Sequence, residues 1–384
     1  VLDGGRHAEE HEMSSTVRAT SAQGATFVEL FFDLVFVFAV TQVAGVLREH
    51  LTVTGLVQAV LVFWLVWWAW TQFTWTLNAA DTEHPRIELL TMTAVGAAFL
   101  MAVTVPDVFG SSGWWFAVSY ILVRVLGIAG QWWVSSGDPV WRGAIRTWTM
   151  LSMAGLVAIA AAAVAPPDNR VALLAVAVAI DVFSATRAGA GEWRLFSAHF
   201  AERHGLFVII ALGESLIAAG VGTQGLPRSA TLAAVVVPAV VGVCALWWTY
   251  FARARGQLEQ AMEATASSRR ARYARDVYSF LHFPIIGGVV GFAVAMEEAV
   301  AHPAEHLEPS AALALLIGAA LFIGGTGLAL LRAGAGRPAV RAGALVALAA
   351  LYPLVVAWPP AGALTAVAAV VVVVAVVEHR GATA

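Results

Sequence analysis

Apolar residues run along this chain in blocks of about 20, the length that crosses a bilayer as a helix, and polar residues fall in short breaks between them. Blocks bounded by charge or by Gly and Pro predict twelve spans, near 25–47, 52–76, 87–106, 112–134, 142–165, 170–187, 203–224, 230–252, 275–298, 310–332, 339–357 and 361–379. The runs are continuous and do not alternate in period two, which points to helices and away from a β-barrel. The expected fold class is therefore all-α: a polytopic transmembrane helix bundle of about 12 spans.

Composition agrees: 60% of residues are hydrophobic, 12% are charged, and the mean hydropathy is +0.78, far from a soluble balance. The lipid bilayer is the first expected partner. Residues 1–24 carry Arg6 and Arg18 without an apolar core, so they read as a cytoplasmic tail and not as a cleavable signal peptide.

Arginine sets the expected orientation, because the chain has no lysine. With the N-terminus inside, eighteen of the 22 basic residues fall on the cytoplasmic side, three outside (Arg48, Arg170, Arg228), and Arg124 sits mid-helix. That asymmetry predicts both termini inside, in the cytoplasmic (inner) membrane. The basic stretch from Arg269 to Arg275 fits this role within a cytoplasmic 253–275 loop beside anionic lipid, and nothing supports a nucleic-acid partner. Cys244 is the single cysteine, which excludes disulfides within the chain and Cys-based metal sites.

Four landmarks recur in order. Leu30-Phe31 answers to Leu206-Phe207, Trp67-Trp68 to Trp247-Trp248, Arg86 to Arg275, and Pro166-Pro167 to Pro359-Pro360. The order predicts two parallel six-helix pseudo-repeats, 25–187 and 188–384.

Ionisable residues inside these spans cost free energy and so point to function. Glu29 and Asp33 stand four residues apart on one helical face of span 1. Asp181 lies in span 6; Arg203, His204 and Glu214 climb span 7; Tyr278 and His282 climb span 9; Arg124 descends span 4 toward the same depth. Gln72, with Trp67 and Trp68, belongs to span 2. Pro284, two residues after His282, cannot donate to the Phe280 carbonyl, so span 9 is expected to bend just above the histidine.

Pairing of Glu29 with Arg203, and of Asp33 or Asp181 with Arg124, would account for part of this pattern as glue between helices. The acids nevertheless outnumber the bases, and unpaired carboxylates at one depth are proton carriers or general acids. Glu29, Asp33, Glu214 and His282 are therefore the candidates for proton transfer. Arg124, Asp181, Arg203, His204, Tyr278, Trp67, Trp68 and Gln72 are the candidates for holding a substrate. The first five of these polar groups to be grouped by depth and face are Glu29, Asp33, Arg203, Glu214 and His282, expected as one polar centre.

Two His/acid clusters, His7 to Glu12 and Glu297 to Glu308, read as solvated loops, so no metal site is expected. No nucleotide-binding, zincin or hydrolase motif is present, which disfavours ATP-driven transport, and no cofactor is expected.

Phe27 to Phe38, with Glu29 and Asp33, resembles the opening signature of the bacterial low temperature requirement A family of membrane proteins. The likeness continues through His199 to Ser215 and more loosely around Tyr278 to Gly288. The resemblance implies a polytopic cytoplasmic-membrane protein; it implies no chemistry.

Three functions fit these residues: a proton-coupled secondary transporter of a small solute, an intramembrane enzyme doing acid-base chemistry on an isoprenoid or other lipid among tryptophans, and a membrane scaffold or sensor. The absence of an Asp-rich diphosphate motif argues against a prenyl diphosphate substrate. Oligomeric state is not legible in the sequence.

Overall fold

The computed structural model describes residues 17–19, 23–49, 51–188 and 193–380, and the His7 to Glu12 cluster lies outside them with most of the 1–24 tail. Among the described residues twelve helices are long and apolar enough to cross a membrane, in the expected order. They are α1 (Phe27–Glu49), α2 (Val53–Asn78), α3 (Pro85–Val103), α4 (Gly113–Val134), α5 (Pro139–Val164) and α6 (Pro167–Ala188). The rest are α7 (Ser197–Gly222), α8 (Ala230–Ala264), α9 (Ser267–Ala301), α10 (Pro309–Arg332), α11 (Pro338–Ala357) and α12 (Pro360–Arg380). Among the described residues the β structure is one isolated bridge, Arg18 to Ala80.

The helix starts follow from local chemistry. Proline opens α3, α5, α6, α10, α11 and α12, where its missing N–H costs nothing and its fixed φ suits the first turn. Asp138 caps α5 by accepting from Trp141 N at 3.0 Å, and Ser229 caps α8 by accepting from Leu232 N at 3.1 Å.

Three boundaries differ from expectation. α7 starts at Ser197, a turn and a half before Arg203, because the polar residues His199 and Glu202 end a hydropathy block without ending a helix. The segment 253–275, expected as a loop, is helical except at Thr265 and Ala266, since polar residues such as those of 255–264 are good helix formers. α9 is irregular before His282 and regular after it: a π-helical turn occupies Arg275–Phe280, and Pro284 sits in the first turn of the α-helix that restarts at His282. A proline there breaks no hydrogen bond.

The chain forms two compact units. One holds the residues up to Phe36 with Trp68–Arg203, so it contains α3 to α6 whole and the near ends of α1, α2 and α7. The other holds Val37–Trp67 and the residues from His204 onward, with α8 to α12 whole. In the second unit α9 and α10 meet backbone to backbone. A Cβ on Gly288 would lie 2.6 Å from the Gly318 carbonyl oxygen, and one on Gly318 would lie 2.5 Å from Phe292 N. Small residues at a helix crossing permit this approach.

Candidate functional site

In the first unit the near ends of α1, α2 and α7 bring a fully buried polar network together. Arg203 sends Nη1 to Glu29 Oε1 at 2.6 Å, Nη2 to Asp33 Oδ1 at 2.5 Å and Nε to Asp33 Oδ2 at 3.2 Å. The four-residue spacing of Glu29 and Asp33 aims both acids at one guanidinium. Trp70 Nε1 donates to Asp33 Oδ1 at 2.7 Å, and the Arg203 guanidinium lies 6.0 Å from the Trp70 ring centroid. Glu29 Oε2 also accepts from Thr26 N (3.0 Å) and Thr26 Oγ1 (3.1 Å), and lies 3.2 Å from His199 Nε2. Asn78, the last residue of α2, lies 3.3 Å from His199 Nδ1 and pairs with both backbone groups of Phe196.

The described residues ahead of α1 hydrogen-bond to the chain just after α2 and to α7. Ala19 N donates to Ala79 O, Asp81 N to Val17 O, Gln23 Nε2 to Ala80 O at 2.7 Å, and Ala25 N to Glu202 Oε2 at 3.1 Å.

The same unit holds a second buried centre. Arg124 pairs with both oxygens of Asp181 at 3.2 Å, donates Nε to Gln72 Oε1 at 2.6 Å and donates Nη1 to Tyr120 Oη at 2.6 Å. Gln72 Nε2 returns a bond to the Arg124 carbonyl at 3.0 Å. A Cβ at Gly127 would sit 2.4 Å from Gln72 Nε2, so only glycine leaves room for that amide. The Tyr120 and Trp148 rings flank the guanidinium at 5.6 and 5.9 Å. Trp68 is buried in this unit as well.

Of the alternatives open in the sequence, Arg124 takes Asp181, and Asp33 takes Arg203. The two centres differ in charge. Arg124 and Asp181 balance, whereas Arg203 faces two carboxylates.

The second unit groups His204, Tyr278, His282 and Trp67. His282 is buried, with Nε2 at 2.7 Å from Tyr250 Oη and Nδ1 at 2.9 Å from the Val277 carbonyl oxygen. Because the carbonyl can only accept, Nδ1 carries the proton, and Tyr250 donates to Nε2. Tyr278 stacks on His282 at 5.1 Å, and His204 meets both rings at 5.0 and 5.2 Å. Trp67 packs edge-on against Phe207 at 5.6 Å and donates to Ser279 O at 2.7 Å. Val277 and Ser279 belong to the π-turn, whose displaced carbonyls are thus taken by His282 and Trp67.

Glu214 is half-buried in this unit and, among the described residues, makes no hydrogen bond or ion pair. Of the five residues expected as one polar centre, Glu29, Asp33 and Arg203 meet in the first unit, and Glu214 and His282 belong to the second. Shared depth on neighbouring spans did not distinguish which compact unit a residue joins.

Sequence reasoning missed His199, Trp70, Tyr120, Tyr250 and the Arg341–Glu378 pair. His199 stands one turn before Arg203 and Tyr120 one turn before Arg124, a spacing that could have flagged both. Arg341 Nε and Nη2 meet Glu378 at 2.7 and 2.8 Å, joining α11 to α12 within spans whose Ala/Val/Leu content hides them. Of the Glu297 to Glu308 stretch, expected as a loop, Glu297 and Glu298 belong to the last turns of α9; Glu297 pairs with Arg48, and His302 lies 3.8 and 3.9 Å from Glu298 and Glu305. Among the described residues no three His, Cys, Asp or Glu side chains are arranged to hold a metal ion.

The family described as bacterial low temperature requirement A protein (LtrA) matches residues 24–376. A protein of Rhizobium meliloti (strain 1021), named Uncharacterized protein RA0937, is 31% identical over 337 residues, 84% of this chain and 81% of the relative. No solved structure matches. A match from just before Glu29 to just before Glu378 takes in every buried centre described above save one carboxylate, and the chain belongs to the bacterial low temperature requirement A family.

Proposed function

We propose that this protein is a proton-coupled secondary transporter of a small solute in the cytoplasmic membrane, both termini inside, with Glu29, Asp33, Arg203 and His199 as its proton-binding centre. The carrying observation is that two buried carboxylates share one guanidinium. With His199 neutral the centre is one negative charge out of balance, and an uncompensated carboxylate inside a membrane costs at least ~2.5–3.5 kcal/mol. One bound proton restores neutrality. A centre that is neutral only when protonated can exchange that proton against a solute. Glu214, a half-buried carboxylate within a span and unpaired among the described residues, supports the same reading. The arginine asymmetry supports the orientation, and the ordered recurrence of landmarks supports two parallel six-helix repeats.

In liposomes, purified protein should couple the flux of a small solute or amphipathic cation to pH. Asp33→Asn and Glu214→Gln should abolish coupling. Absence of proton-linked flux across a broad solute panel would sink the transporter reading.

A second reading has its own support. His282 is a titratable group walled by Tyr250, Tyr278 and His204, the surroundings that acid-base chemistry on a lipid would use. Turnover of a lipid in detergent, stopped by His282→Gln and independent of any gradient, would establish it.

A further inference from the structure

We infer that the exchangeable proton of the Arg203 centre resides on Asp33 Oδ2, and that Asn78 is the positioning residue that keeps it off His199. The inference rests on the proposed proton-binding role and places the proton by counting donors and acceptors.

The count begins at Asn78. Its side chain lies 2.9 Å from Phe196 O through Nδ2 and 2.9 Å from Phe196 N through Oδ1. A carbonyl oxygen can only accept and a backbone N–H can only donate, so this pairing fixes which end of the amide is which. The remaining Asn78 N–H faces His199 Nδ1 at 3.3 Å. His199 Nδ1 is therefore an acceptor, its proton is on Nε2, and Nε2 donates to Glu29 Oε2 at 3.2 Å. A second proton on His199 would set N–H against N–H and break the lock on Phe196.

Glu29 is no better host. Glu29 receives four donors, three of them on Oε2 (Thr26 N, Thr26 Oγ1 and His199 Nε2), while its Oε1 is engaged by Arg203 Nη1 at 2.6 Å, a shorter guanidinium contact than the 3.2 Å one on Asp33 Oδ2. Asp33 receives three, from Arg203 Nη2, Arg203 Nε and Trp70 Nε1. Two of these fall on Oδ1. Among the described residues Oδ2 has only the Nε contact at 3.2 Å, which leaves it a lone pair. The charges then close: Arg203 is +1, Glu29 is −1, and His199 and protonated Asp33 are neutral. Release of the Asp33 proton leaves the centre at −1, the state in which a partner charge is required.

Infrared and nitrogen NMR spectra of the whole protein in lipid nanodiscs test this. The wild type should show a deuterium-sensitive carboxylic-acid stretch that moves with isotope-labelled aspartate, beside a neutral His199 protonated at Nε2. Asp33→Asn should remove that band. If Asp33→Asn does not fold, the protein with Arg124→Met and Asp181→Leu serves instead: it lacks the other buried aspartate, and the band should persist. Asn78→Asp, which sets an acceptor and a new negative charge against His199 Nδ1, should produce an imidazolium signal at His199 while the Asp33 band persists, a protonation that a merely structural residue would not cause.

A wild-type imidazolium at His199 without an aspartic-acid band would overturn the placement and leave the proton-binding centre standing. Neither signature would overturn both. The expected spectra without proton-linked flux would uphold the placement and remove the transporter.

Discussion

Arg203 grips Asp33 through two nitrogens, Nη2 to Oδ1 at 2.5 Å and Nε to Oδ2 at 3.2 Å, while its third nitrogen reaches Glu29 at 2.6 Å. One guanidinium thus ties two acids of α1 to α7 in a region without water-exposed surface. Such a geometry makes the cation harder to remove than either anion.

Arg203→Met should accordingly destabilise the protein by about 3–5 kcal/mol, because it leaves Glu29 and Asp33 buried without a counter-charge. Asp33→Asn should cost only about 1 kcal/mol, the size of one exchanged hydrogen bond, since it replaces a neutral acid by a neutral amide. Unfolding free energies in detergent compare the two. Equal costs would mean that Asp33 is ionised in the resting protein.

The Arg124–Asp181 pair predicts the opposite balance. Asp181→Leu alone should cost about 3–5 kcal/mol, and adding Arg124→Met should recover most of that loss, because a paired replacement leaves no buried charge. A double-mutant cycle on thermal unfolding measures the recovery. Strict additivity would deny the contact at 3.2 Å.

At the crossing of α9 and α10, Gly318→Ala should destabilise by about 1–3 kcal/mol, the usual cost of overpacking. The new methyl would sit 2.5 Å from Phe292 N, and backbone cannot swing aside as a flexible side chain does. Gly343→Ala on α11, where a Cβ meets nothing within 4 Å, is the matched control and should not lower the melting temperature, and should raise it slightly because Ala is the better helix former.

Orientation is testable without function. After Cys244→Ser, single cysteines at Gln260 and Ala304, both exposed, should react with an impermeant thiol reagent from opposite sides of the membrane, Gln260 from the cytoplasm. Labelling of both from one side would contradict α9 as a full crossing.

The twelve spans were legible in the chain because a bilayer imposes a length and a composition on each crossing helix, and both are local properties of sequence. Glu29 and Asp33 were legible for the same reason: a carboxylate in an apolar run is conspicuous wherever it lies. The partners were not. Nothing local assigns Asp33 to Arg203 and Asp181 to Arg124, nor turns His199 toward Glu29; those pairings depend on which helices pack together and on their rotation. The helical content of 253–275 was hidden because hydropathy marks where a chain leaves the membrane, whereas a helix continues as long as its backbone hydrogen bonds and residue propensities allow. The division of Glu29, Asp33 and Arg203 from Glu214 and His282 between two compact units was likewise decided by packing alone, since depth along a span is encoded in the chain and neighbours across it are set only by the assembled bundle.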